Sequence, residues 1–536
     1  MYTKPDIGDL LHGVRSHLGQ VLTPYVQDSP EAQGILDPVL GVLARVEAEW
    51  AGVAARLSDD SVDIVGTLSE IADMFDGDPA LRERLRQVLH IARQSDSGTS
   101  CTAIASVNDR LKGAIVDYLD ILDLPAAPDA AGPVAAADRA VQALLSRMSE
   151  REVACPVATS VNLSGRQANA PEPLDAMARR LESFVAGQVY GDEAHSDAVT
   201  VSSLVRQLGG GSRDTYFFDL AYTAPDGGTF EAPCVLQSEA ASSVLESDDP
   251  ETGMTGSRRT PEVEYEVIRI AAAHGIQAPE MLWLEPTGQV LGTKFFISRR
   301  GDGAVDDAEL REEHNHRQRE DVATDFVRTM ARIHAIDVDA AGLGILGDPT
   351  VETAAAQQVE QFAEGYERQR LEVIPVWDYL VRWLRKNLPV ALKVSLIHGD
   401  YRRGNFLWQD DRVSLVVDWE QAHLGDALEE IAFAYWHMWN ADCLIPLDDF
   451  VVLYEQERGI TIDRAALAFY RMFIELKMAV VILTSWRSFF ATEVRQLQYA
   501  MFPGAVLSGA ALRVMQELTA GPQYDFPAAK DAPRWL

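Results

Sequence analysis

Two short apolar runs bracket the segment that most constrains what this chain can fold into. Leu396-Ile397 leads into His398-Gly399-Asp400-Tyr401-Arg402-Arg403-Gly404-Asn405, and Val416-Val417 leads into Asp418-Trp419-Glu420. The order is Asp, then Asn five residues later, then a second Asp thirteen residues after that. Phosphoryl transfer needs this layout: one carboxylate to orient a hydroxyl, and an amide and a carboxylate to hold Mg²⁺. Taken singly, Asp or Asn reads as a turn residue, and Asp418 as a carboxylate at a strand end. The joint pattern at short range carries the functional reading.

At 536 residues the chain is long for one core, and its length predicts two to four domains. Lys and Arg number 47 against 81 Asp and Glu, a formal charge of −34. Such a surface repels nucleic acid and anionic membranes, so neither is expected as a partner. The excess acid can simply aid solubility; a sharper reading is a cleft that attracts a cationic substrate. Cys101, Cys155, Cys234 and Cys443 lie far apart and suggest neither a zinc site nor a disulfide framework. A reducing, cytoplasmic location is the natural expectation. The first residues lack the apolar core of a signal peptide, and the apolar run Met478–Leu483 is too short to span a bilayer.

The organisation predicted along the chain is a helical N-terminal domain (1–155), a linker (156–176), a β-rich small lobe (177–300) and a helical large lobe (301–536). Apolar residues at three- and four-residue spacing mark helices near 7–22, 35–57, 62–74, 79–94, 106–122 and 134–148. Such a bundle suits packing, homodimer formation or substrate gating. Gly209-Gly210-Gly211-Ser212 followed by Thr215–Tyr222 suggests a strand–turn–strand unit. Further strands are expected at 232–237, 280–284 and 294–298, and a helix with Pro in its first turn at 261–274. The motif itself falls between short strands near 395–397 and 414–417, with a further strand at 406–408. The fold class expected is α+β: a bilobal, protein-kinase-like fold preceded by an all-α bundle.

Asp400 is read as the residue that orients the substrate hydroxyl and takes up its proton late, because an unperturbed carboxylate is a weak base. Asn405 and Asp418 offer the hard oxygens that Mg²⁺ prefers. His398 is expected to brace the loop. Arg402 could neutralise the phosphoryl group in flight, and Arg403 could meet an anionic substrate.

These residues resemble the aminoglycoside phosphotransferase-like family of small-molecule kinases. The form His-Gly-Asp-Tyr-Arg-x-Gly-Asn looks most like its hydroxyacyl-CoA kinase branch, which includes kinase domains fused to acyl-CoA dehydrogenases. Met330–Asp337 and Leu424–Ala432 resemble segments of that branch before and after the motif, with Asp426 expected to support the catalytic loop. The resemblance implies ATP and Mg²⁺ as cofactors. It places Gly209, Gly210, Gly211 and Ser212 over the phosphates, Ile297 at the start of the hinge that holds adenine, and Glu264 as the glutamate of the small-lobe helix. It also exposes a departure: Gln237 stands where Lys or Arg should meet the α- and β-phosphates. A shifted alignment, a substitute cation (Arg213, Arg258 or Lys294) and an impaired site all account for it. Three functions follow from the resemblance: phosphorylation of a hydroxyacyl-CoA or other hydroxylated catabolic intermediate, phosphorylation of an aminoglycoside-type antibiotic, and a catalytically impaired nucleotide-binding scaffold.

Overall fold

The computed structural model describes residues 14–20, 52–93, 101–123, 131–154, 174–207, 213–239, 260–305, 316–439, 441–491 and 498–520, with isolated positions at 23, 33, 36, 39, 40 and 43. Residues 14–20 are helical, and further on come α1 (Val53–Asp73), α2 (Pro79–Arg93), α3 (Cys101–Leu122) and α4 (Ala131–Val153). Ile64, Leu68 and Ile71 of α1 bury one stripe against Leu111, Ile115 and Tyr118 of α3 and Val141 and Leu144 of α4. The sequence pattern suggests a break between 57 and 62, but α1 runs through Ser58-Asp59-Asp60-Ser61. Tertiary partners explain the difference. Arg151 of α4 pairs with buried Asp60 at 2.7 Å, and Asn108 of α3 donates to Leu57 O and Ser61 Oγ. The linker expectation falls mostly on 155–173, outside the described residues.

The small lobe begins with α5 (Leu174–Tyr190) and continues through β1 (Val199–Arg206), β2 (Arg213–Thr223), β3 (Thr229–Glu239), α6 (Pro261–Ala273), β4 (Met281–Glu285) and β5 (Phe295–Arg299). The strands form one antiparallel sheet in the order β1-β2-β3-β5-β4. Period-two alternation divides its faces. Cys234, Leu236, Phe295 and Ile297 pack with Leu181, Phe184 and Val185 of α5. Phe296 joins the other core, with Val267 and Ile268 of α6. Gln237 lies directly opposite Phe296, so it belongs to that second face.

The large lobe contains α7 (His316–Ala335), α8 (Ala354–Gln369), α9 (Pro375–Lys386), β6 (Val394–Ile397), β7 (Phe406–Gln409), β8 (Arg412–Val416), β9 (His423–Asp426), α10 (Ala427–Ala434), α11 (Leu447–Arg458), α12 (Arg464–Ala491) and α13 (Gln498–Ala520). β6 pairs with β9 and β7 with β8, both antiparallel. Asp410 and Asp411, both at positive φ, make the two-residue turn of the β7–β8 hairpin. Gly301 and Gly303 bring the crossover between lobes against this hairpin. A Cβ on Gly301 would sit 2.6 Å from Leu415 Cδ2, and one on Gly303 2.6 Å from Ser414 Oγ.

The N-terminal helices are docked on the large lobe. α3 packs against α9, and α4 against α13. Arg382 of α9 reaches Asp123 through two nitrogens, at 2.6 and 2.7 Å, and Asp138 at 2.6 Å. Tyr379 donates its hydroxyl to Asp138 and accepts from Gln142. Among the described residues no helix is long and apolar enough to cross a membrane.

Candidate active site

β6 delivers the chain into the loop that holds His398, Gly399 and Asp400. Gly399 has φ of 84°, and a Cβ there would lie 2.2 Å from Gln421 O, so the crossing with the segment after Asp418 requires glycine. Asp400 is nearly buried. Its Oδ1 accepts from Arg402 Nε at 2.9 Å, and its Oδ2 from Asn405 Nδ2. The same Asn405 nitrogen donates to Asp400 O, which turns the amide oxygen away from this carboxylate. Asn405 O accepts from Val417 N at 3.0 Å, tying the loop to the strand end before Asp418.

Asp418 itself takes a left-handed conformation, φ 69° and ψ 59°, which redirects the chain at the end of β8. Its carboxyl is pushed well above the usual carboxylate range by burial and then by the neighbouring charges of Glu420, Asp400 and Glu264. A cluster of carboxylates held this close favours protonation or a cation. No group of three or more His, Cys, Asp or Glu side chains among the described residues is already gathered as a metal site. Asn405 and Asp418 are the hard oxygen donors at hand.

His398 is fully buried. Its Nε2 lies 3.0 Å from Val417 O, and its Nδ1 accepts from Asp400 N. Burial lowers its pKa, which keeps the ring neutral, as a brace should be. Arg402 engages Asp400 and lies over the Trp439 ring, 4.3 Å from its centroid. Arg403 Nε donates to Trp439 O at 2.8 Å.

The loop is held from beneath by residues to which sequence reasoning gave no role. Glu430 accepts from His398 N at 3.2 Å, Gly399 N at 2.7 Å and His334 Nε2 at 2.8 Å. Burial works against its charge, but the His334 bond and the neighbouring imidazoles outweigh it and hold the carboxyl below its usual range. Lys477, buried in the apolar middle of α12, donates to Gly399 O at 2.9 Å and pairs with Glu429. Glu429 is lowered to about 2 despite its burial, because His423 and Lys477 face it. Asp426, expected to support the loop, instead caps α10 by accepting from Leu428 N. His334 and Glu430 both fall in the segments that carry the family resemblance, and a lysine inside an apolar run was a readable signal.

On the small-lobe side Glu264 is buried and paired with Arg213, Nη2 to Oε2 at 2.8 Å. Arg213 opens β2. The cation facing the helix glutamate therefore comes from β2, while Gln237 sits on β3. Lys294 pairs with Glu262 at 3.0 Å, and Arg258 lies outside the described residues, as do Gly209, Gly210, Gly211 and Ser212. Ile297 departs from a hinge role. Its side chain is sealed in the core with α5, and its backbone lies in the ladder between Leu236 and Trp283.

Residues 249–470 match the model of the phosphotransferase enzyme family. The match takes in α6, the Asp400 loop, Asn405 and Asp418. Among curated proteins, acyl-CoA dehydrogenase family member 10 of Mus musculus is 25% identical over 187 residues, 34% of this chain and 17% of that protein. Acyl-CoA dehydrogenase family member 11 of Rattus norvegicus is 24% identical over 215 residues, 37% of this chain and 27% of that protein. The chain thus spans about a quarter, or less, of the length of these relatives. Among solved structures, an aminoglycoside phosphotransferase APH(4)-Ia in complex with AMP-PNP and hygromycin B aligns with 63% of this chain and 97% of its own, at 18% identity and a TM-score of 0.40.

Proposed function

We propose that the phosphotransferase domain transfers the γ-phosphate of ATP to a hydroxyl of a small metabolite, and that the favoured acceptor is a hydroxyacyl-CoA or a related hydroxylated catabolic intermediate. The observation that carries this reading is the bond from Asn405 to Asp400 on one braced loop, with Val417, the neighbour of Asp418, tied to Asn405 O. The acceptor hydroxyl lies against Asp400, with Arg402 fixing the carboxylate. The hydroxyl oxygen attacks the γ-phosphorus, the bond from that phosphorus to the bridging oxygen of ADP breaks, and the hydroxyl proton passes to Asp400. Asn405 and Asp418 would hold Mg²⁺, which would supply charge neutralisation on the phosphates. The Arg213–Glu264 pair supplies the small-lobe cation that Gln237 does not. Two relatives named as acyl-CoA dehydrogenase family members support an acyl-CoA-linked acceptor, and phosphorylating an alcohol makes it a good leaving group.

Calorimetry of Mg-ATP with the full chain and with Asp418→Ala tests this reading. Binding by the native protein and its loss in the variant are expected. A well-folded native protein that binds no Mg-ATP, alone or with hydroxylated acyl thioesters present, would overturn it.

A further inference from the structure

A cavity of about 330 Å³ opens between α6, the turn Leu346–Pro349, α8 and the segment Trp419–Leu424. This is within the size range of small-molecule sites. None of Asp400, Arg402, Asn405 or Asp418 lines it, so a molecule held there does not meet the reacting groups. Four of its lining residues nevertheless brace those groups from behind. Glu264 pairs with Arg213. Trp419 follows Asp418, and its ring centroid lies 4.6 Å from that of His398. Gln421 packs its carbonyl against Gly399, the residue before Asp400. Lys477 donates to Gly399 O at 2.9 Å. The cavity thus touches the small-lobe ion pair, the segment after Asp418 and the back of the catalytic loop at once.

The lining also has a definite chemistry. Val263, Val267, Leu346 and Phe362 make an apolar wall. Lys477 and His423 are turned to Glu429, which does not line the cavity, each at 3.2 Å. The lining carboxylates are Glu264 and Glu420, both near enough to Asp418 to act on it. Arg213 balances Glu264 alone. The charge facing the cavity is therefore negative on balance, which favours a cation over an anion.

Two acceptors of this lining have no hydrogen-bond partner in the protein: Glu264 Oε1 and Gln421 Oε1, each shielded from solvent. Glu264 as a whole is only 3% exposed. Buried acceptors are ordinarily satisfied, and leaving one empty costs about 1–3 kcal/mol. Both oxygens call for N–H or O–H donors.

We infer that this cavity is an effector site, separate from the acceptor site, and that it takes a small monocation with N–H donors on an apolar body, such as an amidinium or guanidinium, whose donors meet Glu264 Oε1 and Gln421 Oε1 and whose carbons lie on the Val263–Phe362 wall. Glu264 belongs to α6 and Gln421 to the segment after Asp418, so one ligand holding both ties the small-lobe helix to the metal side of the large lobe. Nucleotide binding then has less ordering to impose, and the two ligands favour each other. This coupling rests on the phosphotransfer reading above; occupancy of the cavity does not.

The test is titration of the full chain, followed by calorimetry, with three probes of one shape: the cation benzamidine, its neutral counterpart benzamide and the anion benzoate. Benzamidine is expected to bind best and to tighten Mg-AMP-PNP by about fivefold, with Mg-AMP-PNP tightening benzamidine by the same factor. Gln421→Leu removes one acceptor, and Gln361→Trp places an indole at the α8 side of the cavity. Each is expected to weaken benzamidine by about tenfold and to leave Mg-AMP-PNP alone within about twofold, since neither residue is a nucleotide ligand. Gln421→Leu deletes an unsatisfied acceptor, so its melting temperature should not fall, which separates loss of the site from loss of the fold. Benzamide or benzoate binding as well as benzamidine, variants that bind it as the native protein does, or nucleotide affinity that benzamidine leaves unchanged or weakens would each overturn the effector site. A native protein that binds no Mg-AMP-PNP, yet binds benzamidine with the expected sensitivity to both variants, would instead remove the phosphotransfer reading and keep the cation site.

Discussion

Arg213 at the start of β2 and Glu264 in the first turn of α6 form a buried ion pair, 2.8 Å from Nη2 to Oε2. Fifty-one residues separate them, so the pair fixes the helix to the sheet. Removing one partner of a buried pair strands the other's charge. Arg213→Met is therefore expected to destabilise the protein by about 3–5 kcal/mol and to weaken Mg-ATP binding. Chemical denaturation and calorimetry check both effects. An unchanged midpoint would show that the pair holds nothing together.

The same glutamate gives the pair a pH signature. Burial raises the Glu264 carboxyl to about 7, opposed by Arg213 and reinforced by Glu420. Between its ordinary value of 4.5 and about 7 the folded state holds more of this proton than the unfolded state does. This group's contribution to stability therefore falls as pH rises through that window. Glu264→Gln cannot titrate, so its stability relative to the native protein should improve from pH 4.5 to 7. Paired melts across that range measure the difference. A constant difference would refute the assignment.

Glu430 accepts from two consecutive backbone N–H groups of the catalytic loop and from His334. In Glu430→Ala those donors are left buried and unmet, at about 1–3 kcal/mol each. Glu430→Gln keeps an acceptor oxygen and should be milder. Amide hydrogen exchange at His398 and Gly399 should accelerate in the alanine variant before the rest of the fold responds. Unaltered exchange at those two amides would mean the loop is held by other groups.

How far the chain could be read in advance depended on the kind of information required. Periodicity located α6, β4 and β5 to within a residue or two, because burial on one face follows directly from spacing. The spacing from Asp400 to Asn405 put both on one loop, where their side chains are hydrogen-bonded. Pairings across the sequence were not legible. Nothing local in Arg213 marks it as the partner of Glu264, and nothing in Glu430 says that its carboxylate reaches back to residue 398. The polar stretch at 58–61 reads as a break until Arg151 and Asn108 supply partners from α4 and α3. Ile297 could be placed on a strand, but the face it serves was set by α5, which packs from outside the sheet.

Arg402 lies between Asp400 and the Trp439 ring. A cation over an indole face contributes about 0.5–2 kcal/mol, and here it fixes the angle at which the guanidinium meets the carboxylate. In Trp439→Leu the arginine keeps its charge and loses its platform. Turnover is expected to fall by about tenfold while nucleotide affinity stays unchanged, and Trp439→Phe should recover part of the loss. Equal losses in turnover and nucleotide affinity would point to general unfolding of this region instead.

Arg382 joins the N-terminal helices to the large lobe through Asp123 and Asp138. Its replacement by alanine removes charge-assisted bonds to both carboxylates, at about 2–3 kcal/mol. The loss should appear first as faster proteolysis within 101–154, because α3 and α4 then depend on apolar packing against α9 and α13. The contribution also has a definite sign with pH. Burial opposes the charge on Asp123, but Arg382 and Lys386 outweigh it and hold its carboxyl below 3.8. The stabilisation is thus full above 3.8 and is lost as pH falls below it through the lowered value. Native protein and Arg382→Ala should accordingly differ most near neutrality and converge in acid. Divergence on acidification would show that the docking of these helices does not run through this arginine.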